Sequence, residues 1–174
     1  MYKKVLFFLF LIFISSNSSA KETDKAYFGG GCFWCMEESF EKAEGVIEVI
    51  SGYSGGTTEN PTYKEVTYGD TGHFEVVEIV YDKSLTNYKK LLEIFWLNID
   101  PFDAKGQFCD KGYSYRSVAF YRTNDEKIEI EESIKEIEKK FSKEVVTYLR
   151  EFDKFYNAEV YHQNYYQENF VNYL

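Results

Sequence analysis

The apolar positions of this chain follow two different spacings, which predict strands and helices in turn. Short runs rich in β-branched and aromatic residues are typical of strands. The run from His73 to Tyr81 is apolar on both faces at its centre, which favours a buried strand. We predict strands over residues 25–29, 46–53, 73–81, 115–121 and 144–149.

Apolar residues at intervals of three or four predict three helices. The first covers about Phe33 to Lys42. The second is capped by Asn87 and stopped by Pro101, and the third, highly charged, opens at Thr123. The resulting order, β-α-β-β-α-β with a helix and a strand appended, predicts an α+β fold. We expect a two-layer α/β sandwich with a ferredoxin-like core.

The first 20 residues have the pattern of a secretory signal peptide. Lys3 and Lys4 precede an apolar run from Val5 to Ile14, and small residues precede the expected cleavage point after Ala20. The run is shorter than the ~20 apolar residues that span a bilayer. We therefore expect residues 1–20 to be removed and residues 21–174 to form a single exported domain, in the bacterial periplasm. An uncleaved N-terminal anchor is the alternative.

Length and charge limit the functions open to the exported part. The chain has 174 residues, and the 154 that follow the 20-residue leader are enough for one domain with a hydrophobic core. Loss of Lys3 and Lys4 changes the net charge from −9 to −11. So acidic a domain is not expected to offer the basic face that nucleic acids require. We expect a soluble monomer, with no membrane contact once the leader is removed.

Two of the three cysteines lie in the stretch GGGCFWCMEE, residues 29–38. At the predicted start of a helix, Cys32 would face unpaired N–H groups and the positive end of the helix dipole, which stabilise a thiolate. Cys35 follows one turn later, where Cβ atoms are ~5–6 Å apart, and a small distortion would allow a disulfide. Cys32 is therefore a candidate nucleophile, and Cys35 is a candidate partner thiol.

Three kinds of site are compatible with this cysteine pair. A zinc site would need about four ligands, and only Cys109, His73 and His162 could complete it, so we expect no metal. A structural disulfide that closes so short a loop would contribute little stability. A redox-active pair is the favoured interpretation.

Large rings fill the interior of the C-x-x-C motif. Phe33 and Trp34 suggest a pocket for a small apolar group, such as the S-methyl group of methionine or its sulfoxide. A thioredoxin-like disulfide oxidoreductase is the alternative function. The two rings argue against it, and the chain has only Pro61 and Pro101 to supply the cis-proline of such a site. An exported binding module without catalysis is a third possibility.

Several segments, in order, resemble the A-type methionine sulfoxide reductases, which act on the S epimer of methionine sulfoxide. They are GGGCFWCMEESF (29–40), SGYSGGTTENPTYKEV (51–66), GDTGHFEVVEIVYD (69–82), LLEIFWLNIDP (91–101), GQFCDKGYSYRSVAFY (106–121) and FYNAEVYHQNYY (155–166). The resemblance implies an α/β sandwich and a thiol-dependent peptide-methionine (S)-S-oxide reductase that repairs exported proteins. It also implies that no cofactor is needed and that an external thioredoxin-type dithiol is the reductant.

The resemblance assigns roles to the residues of the first motif and to those around the sulfoxide oxygen. Cys32 is the implied nucleophile, and Phe33 and Trp34 are implied to hold the substrate methyl group. The other implied site residues are Glu65 as the acid, Tyr53 and Tyr115 as donors to the oxygen, Asp110 in substrate binding, and His162 in a supporting role. For Glu65 to serve as the acid, burial in a partly apolar pocket would have to raise its pKa.

One departure from the family pattern concerns the recycling of the nucleophile. Many members have glycine at the position of Cys35 and recycle through cysteines near the C-terminus, whereas no cysteine follows Cys109 here. Either Cys35 or Cys109 must therefore resolve a sulfenic acid on Cys32. Helical spacing favours Cys35, and Cys109, beside Asp110, is the alternative.

Overall fold

A six-stranded mixed sheet carries the fold in the computed structural model, which describes residues 22–169. The order of its strands is β7-β6-β1-β3-β2-β8, and all neighbours are antiparallel except β6 and β7. A separate hairpin pairs β4 with β5. The strands are β1 (Thr23–Gly29), β2 (Val46–Ser54), β3 (Phe74–Asp82), β4 (Gly106–Gln107), β5 (Asp110–Lys111), β6 (Val118–Tyr121), β7 (Tyr148–Glu151) and β8 (Phe155–Asn157).

Five α-helices and two short 3₁₀ turns connect these strands. The helices are α1 (Phe33–Glu41), α2 (Tyr63–Tyr68), α3 (Tyr88–Leu97), α4 (Asn124–Phe141) and α5 (Tyr165–Glu168), and the 3₁₀ turns are Tyr113–Tyr115 and Val160–His162. The caps predicted for two helices are present. The side chain of Asn87 accepts a hydrogen bond from the N–H of Lys90, and that of Thr123 accepts one from Glu126. None of the helices in the described part of the chain is long and apolar enough to cross a membrane.

The predicted α+β class is confirmed. The elements β1-α1-β2-β3-α3-β6 follow the predicted β-α-β-β-α-β order, and α4 and β7 are the appended helix and strand. Two predicted strands begin later than expected. The strand predicted from residue 115 begins at Val118, because residues 113–115 form a 3₁₀ turn, and the one predicted from residue 144 begins at Tyr148. The leader predicted over residues 1–20 lies outside the described residues.

The main hydrophobic core lies between the sheet and helices α1 and α3. Phe28 of β1 stacks on Phe95 of α3 at 4.9 Å between ring centroids and on Phe40 of α1 at 5.7 Å. A smaller apolar cluster that includes Phe74, Val118 and Phe120 is also buried. Because β3 contributes to both clusters, it is buried along nearly its whole length, as its sequence predicts. This central strand is the rigid support for the site described next.

Candidate active site

The loop between β1 and α1 passes so close to other segments that glycine is required. A Cβ atom on Gly29 would lie 2.6 Å from the carbonyl oxygen of Glu75 in β3. Gly31 has φ +86°, and a Cβ atom there would lie 2.6 Å from the Cβ of Gln107 in the β4–β5 hairpin. The glycines therefore let the loop pass between the sheet and the hairpin, which places Cys32 beside Glu75.

Cys32 is the N-cap residue of α1, as predicted. Its carbonyl accepts hydrogen bonds from the N–H groups of Cys35 at 3.1 Å and Met36 at 3.4 Å. We expected the start of the helix to lower the pKa of Cys32, and for the dithiol form this expectation is wrong. A hydrogen bond with the Cys35 side chain, burial and the charge of Glu75 together hold the pKa of Cys32 above its usual value. At neutral pH the side chain of Cys32 is therefore a thiol and not a thiolate.

Glu75 is the buried acid of this site. It is 1% exposed, and burial raises its pKa to about 8, with the charges of Asp110 and Cys35 contributing. Its Oε2 accepts a hydrogen bond of 3.1 Å from the N–H of Phe33, the first residue of α1. Its Oε1 is buried and has no hydrogen-bond partner among the described residues. Glu75 therefore holds a proton at neutral pH, and one of its oxygens is available to a ligand.

Glu65 does not have the environment that its predicted role requires, and that prediction is wrong. Its Oε2 accepts hydrogen bonds from the N–H and Oγ1 of Thr62, at 2.8 and 2.7 Å, and these bonds lower its pKa. The two residues form the capping box of α2 on an exposed surface. A carboxyl group that is exposed and ionised cannot act as the buried acid, whereas Glu75 has the burial and the raised pKa that this role requires.

Tyr53 is also misassigned as a donor to the substrate. Its side chain is fully buried, and its hydroxyl donates to Oε2 of Glu159 at 2.9 Å. Burial and this hydrogen bond raise the pKa of Tyr53. Since the hydroxyl proton is already engaged by a carboxylate, Tyr53 supports the site from behind Phe33, whose ring centroid lies 6.0 Å away.

Tyr63 and Tyr115 form the pair of hydroxyl groups near Glu75. Burial raises the pKa of Tyr115, and a hydrogen bond with Tyr63 and the charge of Glu75 add to the shift. Tyr63 is the first residue of α2, and its N–H donates to Oε1 of Glu159 at 2.9 Å. Two tyrosine hydroxyl groups beside a protonated carboxyl group can donate hydrogen bonds to an oxygen on which negative charge develops.

Aromatic rings enclose the apolar part of the site. Phe33 is 1% exposed, Trp34 is partly buried, and their ring centroids lie 6.1 Å apart. The buried ring of His162 lies 4.5 Å from Tyr63, 5.0 Å from Phe33 and 5.5 Å from Trp34. Burial lowers the pKa of His162, so it packs here as a neutral ring. The arrangement suits a small apolar group adjacent to Cys32.

The other two cysteines occupy different surroundings. None of the three cysteines forms a disulfide, and both Cys35 and Cys109 are exposed. Cys35 contacts the Cys32 thiol through its side chain, whereas Cys109 lies in the tight turn of the β4–β5 hairpin. Asp110 begins β5, close enough to Glu75 to raise its pKa. Within residues 22–169, no cluster of three or more His, Cys, Asp or Glu side chains could hold a metal ion.

The structure brings most of the predicted residues together and adds two that were missed. The two additional residues are Glu75 and Tyr63. They lie with the predicted residues Cys32, Phe33, Trp34, Cys35, Asp110, Tyr115 and His162. The signal for Glu75 is an acid near the start of a strand that is predicted to be buried. The signal for Tyr63 is its place in NPTYKE, two residues before Glu65.

Comparisons with known proteins agree with this geometry. The family model for peptide methionine sulfoxide reductase matches residues 24–174. Peptide methionine sulfoxide reductase MsrA of Listeria innocua is 48% identical over 153 residues, which cover 86% of each chain. The crystal structure of reduced Mxr1 from Saccharomyces cerevisiae aligns with a TM-score of 0.80 at 28% identity and covers 87% of each chain. Mxr1 in complex with Trx2 has the same fold, with a TM-score of 0.58 at 19% identity over 84% of this chain and 86% of that chain. This chain therefore belongs to the peptide methionine sulfoxide reductase family.

Proposed function

We propose that this protein reduces the S epimer of methionine sulfoxide, free or within oxidised proteins, with Cys32 as the nucleophile and Glu75 as the acid. Family membership supports thiol-dependent reduction of methionine sulfoxide. The observation that carries the proposal is the buried carboxyl group of Glu75, which holds a proton beside the Cys32 thiol and the rings of Phe33 and Trp34.

In the first step the sulfoxide oxygen is protonated while sulfur is attacked. A sulfoxide is a poor electrophile until its oxygen receives a proton or strong hydrogen bonds, which Glu75, Tyr63 and Tyr115 supply. The Cys32 sulfur attacks the substrate sulfur, and its thiol proton replaces the one that Glu75 gave up. The oxygen then passes to the Cys32 sulfur while the substrate S–O bond and the new sulfur–sulfur bond break. Methionine leaves, reduced by two electrons, and Cys32 becomes a sulfenic acid, oxidised by two, so the overall proton count is unchanged.

In the second step a second thiol condenses with the sulfenic acid. The Cys35 thiol attacks the Cys32 sulfur, a disulfide forms, and the oxygen leaves as water. Contact between the two side chains supports Cys35 in this role over Cys109. An external dithiol then reduces the disulfide by exchange. A thioredoxin-type protein is the proposed reductant, and the complex of the yeast relative with Trx2 supports that class of partner.

An epimer-resolved assay tests the proposed reaction. Racemic methionine sulfoxide is incubated with the enzyme and a dithiol, and the remaining epimers are separated and quantified. Consumption of the S epimer alone is expected. Consumption of neither epimer, together with reduction of insulin disulfides, would instead support the thioredoxin-like alternative, which the family comparison does not favour.

We further propose that the enzyme acts after export, as a monomer in the periplasm. The proposal is supported by the basic and apolar pattern of residues 1–20. N-terminal sequencing of the protein from cell fractions tests it. A mature chain that starts at Lys21 in the exported fraction is expected, and a chain retained in full with the membranes would contradict it.

A further inference from the structure

The indole of Trp34 is covered by a ring from the far end of the chain. Tyr165 in α5 stacks on it with 3.7 Å between centroids and 8° between the ring planes. Nε1 of Trp34 is buried and has no hydrogen-bond partner among the described residues. Because no described hydrogen bond holds the indole, its orientation depends on the rings that pack against it.

The segment that carries Tyr165 is tied firmly to the sheet. We call residues 163–167 the C-terminal strap. The side-chain amide of Gln163 pairs with both backbone groups of Ser51 in β2: it accepts from the N–H at 2.9 Å and donates to the carbonyl at 2.9 Å. It also donates to the carbonyl of Ala158 at 3.0 Å. The Gln163 side chain therefore fixes the start of the strap to β2 through the same two backbone groups of Ser51 that a neighbouring strand would use.

Two acidic residues of α1 hold the rest of the strap. Glu37 is fully buried, and its Oε1 accepts a hydrogen bond of 3.0 Å from the N–H of Asn164. Oε2 of Glu41 accepts hydrogen bonds from the Tyr166 hydroxyl and from the Gln167 amide. Trp34, Glu37 and Glu41 share one face of α1 because they are three and four residues apart. The strap lies along this face, and Tyr165 covers its Trp34 end.

We propose that the C-terminal strap sets the substrate affinity of this enzyme, with Tyr165 as a positioning residue that fixes the Trp34 indole against the substrate methyl group. The inference rests on the proposed function, in which Trp34 holds that methyl group. The strap joins residues more than 120 positions apart, so the shape of the methyl pocket depends on the C-terminal end of the domain.

Loss of the Tyr165 ring has a specific kinetic signature. Its described ring contact is with Trp34, and neither Cys32 nor Glu75 depends on it for a hydrogen bond. Since the methyl group is held in the ground state and in the transition state alike, Tyr165→Ala should raise KM about 3- to 10-fold and leave kcat within about 2-fold. Tyr165→Phe keeps the stacked ring and should retain the normal KM.

Fluorescence of Trp34 gives a readout that does not depend on activity. The chain has two tryptophans, and Trp96→Phe removes the other one, which bonds to Ser133 between α3 and α4. In this background, Tyr165→Ala should shift the emission of Trp34 to longer wavelength and increase its quenching by acrylamide. Glu41→Gln, which weakens the strap without removing a ring, should change both in the same direction. Tyr68→Ala, which removes an exposed tyrosine elsewhere, is the matched control and should change neither.

The two readouts separate the inference from the proposed function. An active parent enzyme, with KM and Trp34 emission unchanged in Tyr165→Ala, would overturn the role of the strap. A rise in KM that Tyr165→Phe shares would overturn the stacking argument. An inactive parent enzyme would count against the proposed function, and the emission shift would still decide whether the strap fixes Trp34. If Tyr165→Ala does not fold, an unchanged KM and emission in Glu41→Gln would overturn the proposal.

Discussion

Two glutamates ten residues apart show how the surroundings of a side chain decide its chemistry. Glu65 accepts two hydrogen bonds from Thr62 on an exposed helix end, and its pKa is lowered. Glu75 is buried beside Cys32, and its pKa is raised to about 8. Only the second residue can hold a proton at neutral pH and release it to a bound oxygen.

Substitution of each glutamate separates these roles. Glu75→Gln should lower the rate of sulfoxide reduction in a single turnover by about 10²-fold or more, because a general acid is lost. Glu65→Gln should leave that rate unchanged, since glutamine can preserve the capping box. Rapid-quench measurement of methionine formed per enzyme tests both. A slow Glu65→Gln enzyme beside a normal Glu75→Gln enzyme would reverse the assignment.

The raised pKa of Glu75 also predicts how stability depends on pH. The folded state retains this proton up to about pH 8, whereas the unfolded chain releases it near 4.5. Between these values the folded state binds more protons, so the contribution of Glu75 is complete at low pH and is lost as pH rises. The free energy of unfolding in urea should therefore fall more between pH 5 and 9 in the parent enzyme than in Glu75→Gln. Equal changes in the two proteins would place the pKa of Glu75 near its ordinary value.

Among the elements, α1 has the largest share of the chemistry. Its N-terminus holds Cys32, its first turn holds Phe33, Trp34 and Cys35, and its N–H at Phe33 donates to Glu75. One helix end therefore positions the proposed nucleophile, the proposed methyl pocket and the proposed acid. Because Cys35, the proposed recycling thiol, belongs to the same turn as Cys32, the pair can form a disulfide without movement of a distant segment.

The position of Cys35 predicts a specific loss of turnover. Cys35→Ser should form about one methionine per enzyme and then stop when a thioredoxin-type protein is the reductant, because the sulfenic acid on Cys32 has no partner thiol. Cys109→Ser should turn over repeatedly, since its thiol lies in the hairpin turn. The number of methionine molecules formed per enzyme, measured with and without the reductant, distinguishes a single turnover from repeated turnover. Repeated turnover by Cys35→Ser would transfer the role to Cys109.

The long elements could be predicted from the sequence, and the short ones could not. Helix α1, strand β3 and the caps at Asn87 and Thr123 have clear periodicity or capping residues. Strands β4, β5 and β8 and helix α5 have two to four residues each, too few for a period to emerge. They depend on distant partners, such as the pairing of β8 with β2. The sequence does not predict Tyr63 as a site residue, because its neighbours there, Tyr115 and His162, come from distant segments of the chain.

At the scale of the whole molecule, the site is an assembly of segments that the sheet brings to one place. Cys32 follows β1, Glu75 lies on β3, Tyr115 precedes β6 and His162 follows β8. Sequence motifs identified several of these residues, but motif matching could not tell which glutamate or tyrosine faces the cysteine. That choice depends on burial and on hydrogen-bond partners, which exist only after the segments have packed together.

Glu159 connects the 3₁₀ turn that holds His162 to β2 and to α2, and its removal tests how firmly these three elements are held together. Its carboxylate accepts hydrogen bonds from the Tyr53 hydroxyl in β2 and from the N–H of Tyr63 in α2, each at 2.9 Å. Burial opposes its ionisation, but the hydrogen bonds from Tyr63 and Tyr53 outweigh this and lower the pKa of Glu159. Glu159→Ala should therefore lower the free energy of unfolding at pH 7 by about 1–3 kcal/mol.

The pH dependence of this loss distinguishes the carboxylate from simple packing. Because the folded pKa of Glu159 is lowered, its ionic contribution is present above the unfolded value of 4.5 and is lost as pH falls through the folded one. Urea unfolding at pH 7 and at pH 3 should show a larger difference between parent and Glu159→Ala at pH 7. Tyr53→Phe is the matched control, since it removes one of the two hydrogen bonds, keeps the ring behind Phe33 and should have a smaller effect. A difference that is the same at both pH values would mean that the carboxylate charge does not hold the segments together.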